Sequence, residues 1–191
     1  MKYKGKYVGR GGEKLKYAIE ELNLDIEGMV GADFGCNIGG FTDCLLQYGV
    51  ARVYAVDTGY GMLEWKLRCD DRVVVMERTN AMHIELPEKT DIVTIDVAWT
   101  PQRHILPSAI KQLAENGRIL SLFKPQYEAD EKDLRGGILP AKLFDKVLDD
   151  TIRKIESMLD VEIRDVIRLP REKESKNLEA ILHITPGDES Q

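Results

Sequence analysis

The sequence predicts an α/β fold: a doubly wound sheet of seven strands, parallel except for one antiparallel strand. Three observations carry this. Short apolar runs rich in valine, isoleucine and alanine alternate with longer segments of helical periodicity. The first apolar run ends in a glycine-rich turn that opens a helix, as at the ligand crevice of such sheets. The last two runs have no helix between them, so that pair should be antiparallel, because a parallel return needs a crossover. A chain of 191 residues, 43% hydrophobic and 31% charged, suits one domain with a full core.

Each element can be justified in turn. From Gly12, GGEKLKYAIEELNL places Leu15, Ala18, Ile19 and Leu22 on one face of a helix. Met29–Phe34 is a short buried strand, Gly40–Tyr48 resumes helical spacing, and Arg52–Asp57 is a second strand. Met62–Arg68 reads as a short helix with Trp65 in the core, and Val73–Glu77 as a third strand. Asp91–Val97 is the fourth, following Pro87 and a polar loop. A helix over Gln102–Ala114 is stopped by Asn116-Gly117, and Arg118–Lys124 is the fifth strand, stopped by Pro125. Gln126–Gly137 is polar, contains Gly136-Gly137, and reads as a loop over a site. Ala141–Leu159 is the longest helix. Val161–Leu169 and Leu178–Ile184 are strands joined by the charged loop Pro170–Asn177. Residues 1–20 form a basic N-terminal segment and first helix, residues 21–186 the domain proper, and residues 187–191 a flexible tail.

Charge bears on function. With 27 basic and 33 acidic residues the formal net charge is −6, which argues against a general nucleic-acid coat protein. The distribution is uneven, however. Residues 1–20 hold Lys2, Lys4, Lys6, Arg10, Lys14 and Lys16 against Glu13 and Glu20, a charge of +4, and the remaining 171 residues carry −10. Such a segment is either a solvated terminus or a lip that tracks phosphates. No run approaches the roughly 18 apolar residues of a membrane span, and no apolar run follows the basic N-terminus as in a signal peptide. Cys36, Cys44 and Cys69 are odd in number and lack zinc or redox spacing, so they read as packing residues of a cytoplasmic protein. His83, His104 and His183 are scattered, and no metal site is expected.

The most informative stretch is Asp33-Phe34-Gly35-Cys36-Asn37-Ile38-Gly39-Gly40-Phe41-Thr42. It leaves the first strand, turns on Gly35 and enters a helix at Gly39-Gly40, whose open N–H groups favour a negative group. Asp57 ends the second strand 18 residues after Gly39, placed for ribose hydroxyls. This fits a dinucleotide or S-adenosyl-L-methionine. The spacing G-x-x-x-G-G departs from the dinucleotide pattern G-x-G-x-x-G and makes S-adenosyl-L-methionine the better match.

Tyr7-Val8-Gly9-Arg10-Gly11-Gly12-Glu13-Lys14-Leu15 resembles the opening motif of the TlyA-type proteins, which are FtsJ-like RNA methyltransferases. So does the block from Gly39 to Ala81, GGFTDCLLQYGVARVYAVDTGYGMLEWKLRCDDRVVVMERTNA. Further matches are Thr94-Ile95-Asp96-Val97 and Leu122-Phe123-Lys124-Pro125-Gln126. The resemblance covers nearly the whole chain. It implies a Rossmann-like methyltransferase that moves methyl from S-adenosyl-L-methionine to a ribose 2′-hydroxyl of ribosomal RNA, cytidine being the nucleotide suggested. It also implies a Lys-Asp-Lys-Glu tetrad at Lys14, Asp96, Lys124 and Glu179. Cofactor positions carry over to Asp33, Gly35, Cys36, Gly39, Gly40, Phe41, Asp57 and Asp96, with Asn80 facing the adenine. On the RNA side stand Lys4, Lys6, Arg10, Lys14 and Trp99. Family members usually begin with a small RNA-binding domain, and this chain begins where that domain would end. Ala98-Trp99-Thr100-Pro101 replaces a Ser-Phe-Ile-Ser type of run, and Tyr127 a phenylalanine.

The chemistry fits these residue types. A ribose hydroxyl must lose its proton as it attacks, and Lys124 is the natural general base, helped by a second cation at Lys14. Asp96 would orient Lys124, and Glu179 would orient Lys14 or the ribose. The sulfonium is already activated, so the reaction requires no metal. The partner implied is ribosomal RNA or a ribosomal subunit, with no membrane. The other readings are a non-catalytic cofactor-binding ribosome-assembly factor, a pore-former suggested by the haemolysin name of some relatives, and a dehydrogenase.

Overall fold

The computed structural model describes residues 5–171, 173 and 176–187. Lys4 and all of the expected tail except Gly187 lie outside the described residues. The chain order is α1 (Gly11–Glu21), β1 (Val30–Phe34), α2 (Gly40–Gln47), β2 (Arg52–Val56), α3 (Trp65–Arg68), β3 (Val73–Met76), β4 (Thr90–Ile95), α4 (Gln102–Gln112), β5 (Leu113–Phe123), α5 (Phe144–Met158), β6 (Val161–Arg168) and β7 (Ala180–Pro186). The seven strands form one sheet in the order β3-β2-β1-β4-β5-β7-β6. All are parallel except β7, which runs antiparallel to both its neighbours. The chain reverses direction across the sheet between β1 and β4, so the loops leaving those strands diverge and open a crevice at their C-terminal ends.

The strands read as near-continuous apolar runs because both faces are covered. Alternation then sorts their side chains into two cores. Phe34, Val56, Ile95, Ile119, Phe123 and Leu182 face α4 and α5, joining Ile105, Leu106, Phe144, Leu148 and Ile155. Val53, Ala55, Ile92, Leu120, Leu122 and Ile181 face α1 and α2, joining Leu15, Ala18, Ile19, Cys44 and Leu45. Each fully buried Leu, Ile or Phe contributes about 1.5–3 kcal/mol. The predicted face of α1 is thus buried in the same core as α2, across the boundary expected at residue 20.

Several local expectations are corrected. The short helix shrinks to Trp65–Arg68, and Leu63 and Leu67 turn inward while Trp65 is 73% exposed. Four residues make one turn, of which only Leu67 reaches the inner face, joined by Leu63 from the segment before it. Cys36 and Cys44 pack inside, but Cys69, just past that turn, is exposed. β5 begins at Leu113, which pairs with Thr90, before the register breaks and resumes at Arg118 opposite Ile92. Asn116-Gly117 therefore lies inside an irregular strand, because α4 has already ended at Gln112. α5 is preceded by a 3-10 turn at Ala141–Leu143, and β7 starts at Ala180, two residues later than expected.

Candidate active site

The crevice at the strand ends is a cavity of about 910 Å³, within the size range of small-molecule sites. One wall is the turn between β1 and α2. Gly35 has φ +84°, and a Cβ there would lie 2.7 Å from the Asp96 carbonyl, so only glycine lets the turn pass over the end of β4. Beneath it Asp33, with no exposure, accepts from the Thr42 N–H (2.9 Å) and hydroxyl (2.7 Å) and from the Thr94 hydroxyl (3.3 Å). Burial pushes the Asp33 carboxyl up to about 7, against the downward pull of Thr42. Cys36 lines the cavity, and burial raises its thiol well above the usual range. The amides of Thr42 and Asp43 are taken by Asp33 and the Gly39 carbonyl, while Gly40 and Phe41, the first two residues of α2, line the cavity.

The second wall is α1, brought in by glycine. A Cβ on Gly40 would meet the Gly12 nitrogen at 3.1 Å and the Gly11 Cα at 3.3 Å, so the two helix starts touch backbone to backbone. Gly12 also lies against the Tyr7 ring, which fills the place of its missing side chain. The segment before α1 is held by Asp43, whose Oδ2 accepts from the Val8 N–H (2.8 Å) and from Lys66 (2.9 Å). Lys14, one turn after Gly11, then lines the cavity with its Nζ 2.5 Å from Glu179.

The third group comes from the ends of β4 and β5. Lys124 Nζ stands 2.5 Å from Asp96 Oδ1 and donates to the Val97 carbonyl at 2.9 Å. Lys14, Asp96, Lys124 and Glu179, far apart in sequence, therefore line one cavity as two lysine–carboxylate pairs.

Asp33, Gly35, Cys36, Gly40, Phe41 and Arg10 also line the cavity. Gly39 lies beside it and has a packing reason of its own: at φ +98° its Cβ would strike Leu67 Cδ1 at 2.2 Å. Asp57, at the end of β2, is oriented by the Asn37 N–H (2.8 Å) and the Gly59 N–H (2.7 Å) and is not itself a lining residue. Asn80 caps the 3-10 turn Ala81–His83 by accepting from the Met82 N–H at 3.0 Å, and it too lies off the lining. Trp99, 84% exposed and at φ +60°, stands outside the lining, with its ring centroid 5.5 Å from that of Tyr127. Lys6 is exposed, and its N–H donates to Glu13. Reading the sequence missed Gln126, whose Oε1 is buried without a partner, and Ile138, Arg171, Lys176 and Asn177, which line the wall nearest β7. The signal for Asn177 is its spacing of two from Glu179. Among the described residues no group of three or more His, Cys, Asp or Glu is placed to hold a metal, and no helix is long and apolar enough to cross a membrane.

A doubly wound sheet with a glycine loop at its switch point and a cavity lined by two lysine–carboxylate pairs defines a ligand-binding α/β protein. The FtsJ-like methyltransferase family model matches residues 7–182, and the chain belongs to that family. Its relatives include Hemolysin A of Brachyspira hyodysenteriae, 37% identical over 94% of this chain and 77% of that protein. The 16S/23S rRNA (cytidine-2′-O)-methyltransferase TlyA of Mycobacterium tuberculosis is 38% identical over 69% of this chain and 50% of that protein. A solved structure of a Streptococcus thermophilus protein carrying a hemolysin name superposes with a TM-score of 0.91 at 35% identity, covering 98% of this chain and 70% of that one. The chain thus spans about half the length of TlyA and about three quarters of Hemolysin A.

Proposed function

We propose that the protein transfers a methyl group from S-adenosyl-L-methionine to a ribose 2′-hydroxyl of ribosomal RNA, with cytidine as the target nucleotide. The observation that carries this is the pair of ion pairs, Lys14–Glu179 and Lys124–Asp96, lining one cavity with the glycine turn. The residues present fit the cofactor: Gly35, Cys36 and Gly40 line the cavity with backbone and one small side chain, so a ligand can lie close against the turn. Gly35, Cys36, Gly40 and Phe41 would hold its amino-acid end and Asp57 its ribose, with Asp33 bracing the turn and Gly39 admitting α3. Asn80 would border the adenine. When bound, S-adenosyl-L-methionine supplies a methyl group on a cationic sulfur, an activated leaving group.

The chain's own residues would do the rest. Lys124 has three directions at Nζ, and Asp96 and Val97 take two. In its neutral form the third would accept the 2′-hydroxyl proton as the oxygen attacks. Asp96 holds that amine in place beside the cofactor, and Glu179 keeps Lys14 beside the ribose. Trp99, Lys6 and Arg10 would meet the RNA, as would Lys4. An RNA substrate of this kind places the protein in the cytoplasm.

The test is transfer of labelled methyl to ribosomal RNA and to ribosomal subunits. The parent should label one of these, and Lys124→Ala should label it about 10²–10⁴-fold more slowly. Equal labelling by both removes Lys124 from the reaction. Cofactor binding with no label on any particle supports a non-catalytic assembly factor instead.

A further inference from the structure

The wall of the cavity nearest β7 contains a device that the tetrad does not explain. Residues 135–138 form a tight turn in which Arg135 and Ile138 exchange both backbone hydrogen bonds, at 2.9 and 3.2 Å. Gly136 and Gly137 at its corners have φ +58° and +78°, a conformation that glycine adopts without strain, and a Cβ at either would meet nothing within 4 Å. The turn is therefore closed on itself and open around its tip. Leu139, directly after the turn, is buried, and the polar tie between the turn and the body is Asn177. Its Oδ1 accepts from the Leu139 N–H at 2.7 Å, and its Nδ2 donates to the Gly137 carbonyl at 3.0 Å.

Asn177 enters from the β6–β7 loop, which Arg171 braces by donating twice to the Lys176 carbonyl, at 3.1 and 3.0 Å. Residues two apart in an extended chain point the same way, and Asn177 and Glu179 both line the cavity. One tripeptide thus joins two walls, with Asn177 on the glycine turn and Glu179 on Lys14 of α1. In the strand order this segment enters β7, on the far side of β4 and β5 from the glycine loop of β1. It flanks the acceptor side rather than the cofactor side.

We propose that Asn177 is a positioning residue for the RNA acceptor: its amide latches the 135–139 turn so that Ile138 and the Lys14–Glu179 pair form one rigid wall. This rests on the reading of the cavity as an RNA methyl-transfer site. Latched, the wall presents a preformed surface to the nucleotide. Unlatched, the closed turn loses its two ties to the β6–β7 loop and each substrate must order it, which weakens acceptor binding and leaves the cofactor loop alone.

The experiment compares the parent with Asn177→Ala and Asn177→Asp. Asp keeps an acceptor for the Leu139 N–H and loses the donor to Gly137. Hydrogen exchange of the Leu139 amide should quicken roughly tenfold or more in Asn177→Ala and stay slow in Asn177→Asp, with α5 and the sheet unchanged. In methyl transfer, Asn177→Ala should raise KM for ribosomal RNA about tenfold, while S-adenosyl-L-methionine titrated alone binds as to the parent. Unchanged Leu139 exchange in Asn177→Ala overturns the latch. So does loss of cofactor binding together with a lowered Tm, which would mark Asn177 as merely structural. A parent that labels no RNA overturns the RNA reading and with it the acceptor role, whereas a parent that labels RNA alongside an unaltered Asn177→Ala overturns the latch alone.

Discussion

Asp33 sits beneath the glycine turn, cut off from water and held by two threonines. Burial raises its carboxyl from an ordinary value of 3.8 to about 7, so the folded protein holds this proton more tightly than the unfolded chain. The stability this confers is complete below 3.8 and is lost as pH rises through the folded value near 7. Urea denaturation of the parent should therefore show stability falling between about pH 4 and about pH 7, and Asp33→Asn should abolish that component. Parallel pH profiles for the two proteins would refute it. Single residues were unevenly legible at this scale. Lys124 and Asp96 stand at strand ends between apolar runs and mark themselves. Glu179, alternating with Leu178 and Ala180, looks like any surface residue until Lys14 is seen 2.5 Å away. Gln126 left no signal of its own and Asn177 only its spacing of two from Glu179, because a hydrogen bond to Leu139 or a buried amide oxygen depends on a chain segment distant in sequence.

Among the elements, α1 owes its place to a carboxylate on α2. Asp43 bonds the Val8 backbone, Lys66 and the Gln47 amide, and it lies in the first turn of α2, where negative charge is favoured. Lys66 is more than half exposed, so its ion pair adds little. The bond to Val8 is the stronger link, and losing it costs about 1.5–3 kcal/mol. Asp43→Ala should lower the urea midpoint accordingly and expose residues 5–10 to limited proteolysis. Unaltered cleavage would show that Tyr7 packing alone holds the segment. All seven strands and the long helices were readable from periodicity, because burial on one or both faces writes itself into the pattern. The failures were the short pieces: one helical turn at α3, whose tryptophan faces water, and the irregular start of β5. In both, a few residues obey neighbouring elements more than their own periodicity.

Taken whole, the molecule carries −6 overall but +4 in its first 20 residues, of which Arg10, Gly11 and Lys14 line the cavity. Binding to naked RNA should be weak and steeply dependent on salt. Lys6→Ala combined with Arg10→Ala should reduce the slope of log K against log salt by about 1.4, two phosphate contacts at about 0.7 each on single strands. An unchanged slope would move the RNA contact elsewhere, with Arg171 and Lys176 of the opposite wall as the next residues to test. By itself the sequence determined the fold class, the seven strands and the glycine turn, and its family motif singled out Lys14, Asp96, Lys124 and Glu179, because apolar period, glycine spacing and motif are local properties. Only the tertiary structure decided the pairing of Lys14 with Glu179 and of Lys124 with Asp96. It also decided the insertion of β7 between β5 and β6, and the wall that Asn177 ties together. Each of these joins residues dozens of positions apart, and such contacts exist only once the sheet has set which strand ends stand side by side.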